Sequence, residues 1–246
     1  SGGMAEAALL RVNGQRLFLR AGGYTSDLFW RQNYTNAFAK DLRLARDLGL
    51  NALRLEGQFI EDAFFAAADA AGFLVLPGIV CCDAWQHWPL WGAEQRFVAQ
   101  ESVRSQVRRL RQHASVGFFF VSSDQLPPLA VERMYMDVFA AEGWKVPTIQ
   151  SAAATVSTLT GASGVKMTGP YAWVPPNYWT APEAIERFGG ASGFITETSP
   201  GGAPMELASL ARTIPPGSIW AANSSVPPAD WDWHCGARHG LFGNMK

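Results

Sequence analysis

The chain has 246 residues, 48% of them apolar, and carries 20 basic against 21 acidic residues for a net charge of −1. A length just under the roughly 250 residues of a typical β/α barrel allows a large core, and this composition excludes a disordered chain. The balanced charge gives no general electrostatic reason to bind nucleic acid or an anionic membrane, and no apolar run approaches the roughly 18–20 residues of a membrane span.

In chain order, residues 17–22 read as a first strand. Phe38, Leu42, Ala45 and Leu48 have helical spacing, Gly49 stops the helix, and 51–55 is a strand. Phe64, Phe65, Ala68 and Ala71 repeat that grammar, with Gly72 as the stop and 73–77 as the strand. These strand runs are nearly continuous in apolar residues, as parallel strands buried on both faces require. A helix follows over 97–113, where Arg104, Arg108, Arg109 and Arg111 accompany Val103, Val107 and Leu110 and are read as its solvated side. Residues 117–121 form a strand, 129–142 a helix ended by Gly143, and 147–151 and 165–169 two more strands. A helix over 181–188, a strand over 193–197 and a helix over 205–214 complete the pattern. No glycine-rich phosphate loop follows any strand, so a nucleotide-binding fold is poorly supported. The expected fold is α/β, of the (β/α)8 TIM-barrel type, in one domain over 1–246. It is expected to be incomplete, with about seven strands and no eighth after residue 214.

In such a fold, polar residues just past the strand C-termini face the active site. Tyr24 and Asp27 stand there after the first strand, Arg54 and Glu56 after the second, and Cys82, Asp83 and Trp85 after the third. Ser122, Ser123 and Asp124 follow the fourth, Tyr171 and Trp173 the sixth, and Thr196, Glu197 and Thr198 the seventh. Glu56, Asp124 and Glu197 gathered at one mouth, with Arg54 and aromatic residues, make an acidic and aromatic pocket. That is the equipment of a glycosidase, in which one carboxyl protonates the leaving oxygen and another attacks the anomeric carbon. Glu56 has a second reading, as an ion pair with Arg54 or a helix cap. Trp85, Trp88 and Trp91 either wall the pocket or pack against a neighbouring domain. The three cysteines make no disulfide framework. A cluster of Cys81, Cys82 and Cys235 with Asp83, His87 and His234 matches no zinc spacing, so buried free thiols, and no metal or cofactor, are expected.

The segments 11–14 (Arg-Val-Asn-Gly), 50–57 (Leu-Asn-Ala-Leu-Arg-Leu-Glu-Gly), 81–83, 123–124, 164–171 and 196–201 resemble the catalytic barrel of glycoside hydrolase family 2, most of all its exo-β-D-glucosaminidase branch. The resemblance runs from about residue 9 to 240. It implies that Asp124, in a Ser123-Asp124 pair where the family usually has Asn-Glu, is the general acid/base, and that Glu197 is the nucleophile. It further implies that Arg54 lies beside the nucleophile, that Tyr171 hydrogen-bonds it, and that Glu56 pairs with the substrate's amino group. Ser123, Trp173 and Asp83 join the substrate-binding set. The implied activity is retaining removal of β-1,4-linked glucosamine from the non-reducing end of chitosan oligosaccharides, without metal or cofactor. The alternatives are a β-mannosidase or endo-β-mannosidase of the same family, or an inactive carbohydrate-binding fragment. The family's eighth strand and preceding β-sandwich domains are missing here, so the other domains of a parent enzyme are expected partners. Low charge (17%) and 10 Trp fit faces that would meet those parts. No signal peptide is legible, and a secreted or periplasmic parent is compatible with that.

Overall fold

The computed structural model describes residues 7–26, 34–79, 81, 83–171, 174–181, 192–199 and 206–219. A small hairpin comes first, β1 (Arg11–Val12) pairing antiparallel with β2 (Gln15–Arg16) around Asn13 and Gly14, both at positive φ. An Asn-Gly pair suits that turn because its backbone twist matches that of the flanking strands. The strand expected over 17–22 is confined to β3 (Ala21–Gly23). Beside residues 18–20 a side chain does part of the ladder's work: the Asn51 amide donates to the Phe18 carbonyl at 2.8 Å and accepts from the Arg20 N–H at 2.9 Å.

From β3 onward strands and helices alternate: α1 (Tyr34–Asp47), β4 (Ala52–Leu55), α2 (Asp62–Ala71), β5 (Leu74–Pro77), α3 (Ala93–Leu110), β6 (Phe119–Phe120), α4 (Leu129–Ala141) and β7 (Thr148–Ile149). β3, β4 and β5 pair in parallel in that order. Parallel bridges Val75–Val116 and Gly78–Phe120 carry the sheet to β6, which pairs in parallel with β7. Five successive strands thus lie side by side in chain order. The helix stops behave as their glycines demand. Gly72 takes φ 68°, where a side chain would be strained, and its N–H closes on the carbonyls of Ala68 and Asp69.

Period two sorts the strand residues. Leu53, Leu55, Val75, Phe119 and Val121 enter one core with Phe38 and Leu42 of α1, Phe64 and Phe65 of α2, Val103 and Val107 of α3, and Tyr135 and Phe139 of α4. Leu76, Phe118, Phe120 and Arg54 are also buried but lie outside that cluster, so β4 is covered on both faces. The arginines of α3 and Arg111 just after it lie on its exposed or half-buried side, as expected, and are also paired. Arg104 and Arg108 reach Glu142 beyond α4, Arg111 donates to the Glu142 carbonyl, and Arg109 binds Asp62 and the Ile60 carbonyl at the start of α2. Their length lets them span the groove between helices while the charge stays near water. A second hairpin, β8 (Val156–Ser157) with β9 (Gly161–Ala162), is held to α4 by the buried Glu132 carboxylate, which accepts from Ser157 and Thr160 hydroxyls at 2.7 Å.

The chain divides into two compact units, 1–166 and 167–246. In the second, α5 (Asn177–Thr180) and α6 (Leu207–Thr213) are described, with Leu210 and Ile214 packed together. Of the strands expected at 165–169 and 193–197, the described residues form only single bridged positions, at Lys166 and Ile195. Glycines at positive φ interrupt both segments, Gly169 in the first and Gly193 in the second. The helix expected over 181–188 and the Trp-rich stretch after 219 lie outside the described residues. No helix among the described residues is long and apolar enough to cross a membrane.

Candidate active site

Arg54 stands on β4 between two leucines that enter the helix-side core. Alternation turns it the other way, its guanidinium carbon 5.2 Å from the centre of the Phe120 ring and the residue only 6% exposed. A charge so buried is stable only with partners. Its Nη2 donates to Ser123 Oγ at 2.8 Å and to Glu56 Oε1 at 3.1 Å. Having accepted from Arg54, the Ser123 hydroxyl has one proton to give, and Glu56 Oε1 is the nearer acceptor at 2.5 Å, with Asp124 Oδ1 at 3.3 Å. One guanidinium and one hydroxyl therefore join the segment that follows β4 to the segment that follows β6 and carries Asp124.

The neighbouring strand end stiffens this arrangement. Ser151 Oγ donates to the Ser123 carbonyl at 2.8 Å, and the Ala152 N–H closes on the carbonyls of Ser122 and Ser123. Gln86 does the same from the loop after β5: its buried amide donates to Ser122 Oγ at 2.9 Å. Sequence reasoning passed over Gln86 and Ser151. These contacts span 36 and 28 residues, and nothing local in the chain announces them.

Glu56, Cys81 and Asp124 bring ligand atoms within 4.8 Å of one another, Asp124 exposed and the other two half-buried. Among the described residues this is the group whose spacing would suit a metal ion. Two carboxylates so close also suit an ammonium group, which can donate to both. Cys81 is half-buried where a buried thiol was expected; Cys82 and Cys235 lie outside the described residues.

Other candidates are used elsewhere. Asp83 caps a 3-10 turn, Ala84–Gln86, its Oδ1 accepting the Trp85 N–H at 2.8 Å. Trp88 and Trp91 belong to the chain's own main core, and the half-buried Trp85 packs against it. Tyr24 turns to the helix layer, stacked on Phe64 and donating to Asp41 Oδ2 at 2.8 Å. Asp27 and Trp173 lie outside the described residues.

In the second unit the Tyr171 hydroxyl donates to Glu197 Oε2 at 3.0 Å. The Pro170 carbonyl accepts from the Ser199 N–H at 2.7 Å and lies 3.3 Å from the Thr198 hydroxyl, so the two segments run together on either side of that bond. Gly169 makes the approach feasible. It takes φ 71°, and a Cβ there would stand 2.8 Å from Tyr171 Cδ2 and 2.9 Å from the Tyr171 nitrogen.

Comparison with known proteins sets these groups in context. No protein-family model matches the chain. Its α/β fold and its sequence are related to those of glycosidases. It is 42% identical over 216 residues to the exo-β-D-glucosaminidase of Streptomyces avermitilis, covering 85% of this chain and 23% of that enzyme. With the exo-β-D-glucosaminidase of Amycolatopsis orientalis it is 44% identical over 197 residues, covering 77% of this chain and 19% of the enzyme. The crystal structure of the Amycolatopsis orientalis exo-chitosanase superposes with a TM-score of 0.78 at 40% identity, covering 83% of this chain and 25% of that one. A β-D-mannosidase from Dictyoglomus thermophilum, 17% identical, shares the fold alone, with a TM-score of 0.65 over 97% of this chain and 30% of its own. The chain thus spans about a quarter or less of the length of these glucosaminidases.

Proposed function

We propose that this chain carries the catalytic centre of a retaining exo-β-D-glucosaminidase of glycoside hydrolase family 2, built on a (β/α)8 barrel. Asp124 acts as general acid and then base, and Glu197 as nucleophile. The substrate is the non-reducing end of a β-1,4-linked glucosamine chain, and further domains of a longer enzyme complete the protein. The observation that carries the reading is the Arg54–Ser123–Glu56 network. In it the Glu56 carboxylate stands near Asp124, additional to the acid and the nucleophile proposed here. A neutral sugar has little use for that carboxylate, whereas the ammonium of glucosamine gains a charge-assisted partner from it.

The steps follow from the residues. Asp124 gives its proton to the glycosidic oxygen as the bond to the anomeric carbon breaks, and Glu197 attacks that carbon to form a glycosyl ester. Water then attacks the anomeric carbon, Asp124 takes the water's proton, and the bond to Glu197 breaks to release it as carboxylate. Tyr171, donating to Glu197 Oε2, holds the carboxylate in one orientation. The alignable Amycolatopsis orientalis enzyme has been solved with p-nitrophenyl β-D-glucosamine in two variants, one losing an aspartate and one a glutamate to alanine. Those are the residue types proposed here.

The test is hydrolysis of glucosamine oligosaccharides and of aryl β-D-mannosides by the chain and by Asp124→Ala and Glu197→Ala. Glucosamine release that both substitutions abolish supports the proposal. Faster turnover of the mannoside, or unchanged release in either variant, overturns it.

A further inference from the structure

The Ser123 hydroxyl has two carboxylates within reach. Its Oγ stands 2.5 Å from Glu56 Oε1 and 3.3 Å from Asp124 Oδ1. A hydroxyl has a single proton, so a full hydrogen bond goes to one of them at a time. The backbone around it is held. The Ser123 carbonyl accepts from Ser151 Oγ at 2.8 Å and from the Ala152 N–H at 2.9 Å, and the Gln86 amide donates to Ser122 Oγ next to it. Ser123 is 2% exposed, which leaves little water to compete for the proton. With the backbone held, the direction of the O–H bond is set by electrostatics, and it follows whichever carboxylate is the stronger acceptor.

We propose that the Ser123 hydroxyl is a switch that couples Glu56, the carboxylate set against the amino group, to Asp124, the acid/base. The switch rests on the glycosidase reading above. Without substrate the proton points at Glu56. Glu56 Oε1 then has two donors on its two lone pairs, Arg54 Nη2 and Ser123 Oγ. The ammonium of glucosamine offsets the Glu56 charge and competes for those lone pairs, and the Ser123 proton turns to Asp124. There it supports the negative charge that forms on Asp124 as its own proton passes to the glycosidic oxygen. The Ser123 proton stays on Oγ throughout, and only the direction of its hydrogen bond changes. A neutral sugar leaves Glu56 charged and the proton in place. The amino group thus raises turnover, where a plain ion pair with Glu56 would raise binding alone.

The test uses Ser123→Ala, with Ser123→Thr as the variant that keeps the hydroxyl. On methyl β-D-glucosaminide, whose departure needs the acid, Ser123→Ala is expected to lower kcat about tenfold and to leave KM within about twofold. Ser123→Thr is expected to recover most of the loss. A raised KM with kcat unchanged, or no recovery by a threonine variant that melts like the parent, overturns the switch. A second measurement needs no turnover. The carbon-13 NMR signal of the Asp124 carboxyl, assigned with Asp124→Asn, is followed as glucosamine or glucose is added to the parent and to Ser123→Ala. Glucosamine is expected to displace the signal in the parent, and about half as far or less in Ser123→Ala. Equal displacement in the two, or none in the parent, overturns the coupling. A displacement that depends on Ser123 in a chain that hydrolyses nothing keeps the coupling and sinks the activity.

Discussion

Glu56→Gln probes the basis of substrate choice. The amide is isosteric and keeps an acceptor oxygen for Arg54 Nη2 and Ser123 Oγ, now at 3.1 and 2.5 Å from the carboxylate. What it loses is the negative charge that the proposal sets against the substrate's ammonium. A hydrogen bond to a charged group contributes about 1.5–3 kcal/mol. The lower half of that range applies, because Arg54 already offsets part of the Glu56 charge and the Glu56 side chain is 35% exposed to screening water. A loss of about 1.5–2 kcal/mol corresponds to about a 10- to 30-fold fall in kcat/KM. The assay is kcat/KM on p-nitrophenyl β-D-glucosaminide and on the matching β-D-glucoside, with thermal melting as a check on folding. The fall is expected for the glucosaminide alone, so the preference between the two substrates drops by the same factor. An equal fall on both, or none on either, would refute the assignment of Glu56 to the amino group.

Gly169→Ala is expected to lower kcat more than about tenfold, because the added methyl must displace the Tyr171 ring from 2.8 Å and adopt φ 71°. Tyr171→Phe, which removes the hydrogen bond without the clash, should reproduce most of the loss, and a fully active alanine variant would contradict the geometry. Acid stability follows from two carboxylates. For Asp69, burial alone would raise the pKa, but hydrogen bonds from His113 and Ser115 outweigh it and hold the group below its ordinary 3.8. For Glu142, the hydrogen bond from Arg108 leads, and with Arg104 it outweighs burial to hold the group below its ordinary 4.5. Folded values below unfolded ones mean stability that is present above those ordinary values and lost as pH falls through the lowered ones. Melting temperature should therefore fall as pH drops below about 4.5. Glu142→Gln should flatten that slope, and an unaltered slope would refute the role of the pair.

How much of this was legible in the chain depended on distance along it. The run Ala52–Leu55 announced a strand buried on both faces, and Gly72 announced the end of its helix, because both signals are local. Arg54 and Glu56 were readable as a pair because two residues on a strand share a side. The direction of a residue at a strand end was not readable. Tyr24 was placed at the mouth, but stacking on Phe64 drew it into the helix layer, and Asp83 Oδ1 also caps a short turn. An Asp just before a turn is itself a capping signal, and Asn13-Gly14 a hairpin signal, so those two features could have been read. Trp88 and Trp91 were hidden for a different reason. Their burial is decided by elements far along the chain, and tryptophan suits a sugar platform and a protein core equally.

The stereochemistry of the first product tests the central claim most directly. Proton NMR during early turnover of a β-linked glucosamine oligosaccharide reads the anomeric signal before mutarotation. With Glu197 forming a covalent intermediate and Asp124 directing water to the same face, the account predicts β-glucosamine as the first sugar released. The α anomer appearing first would contradict it.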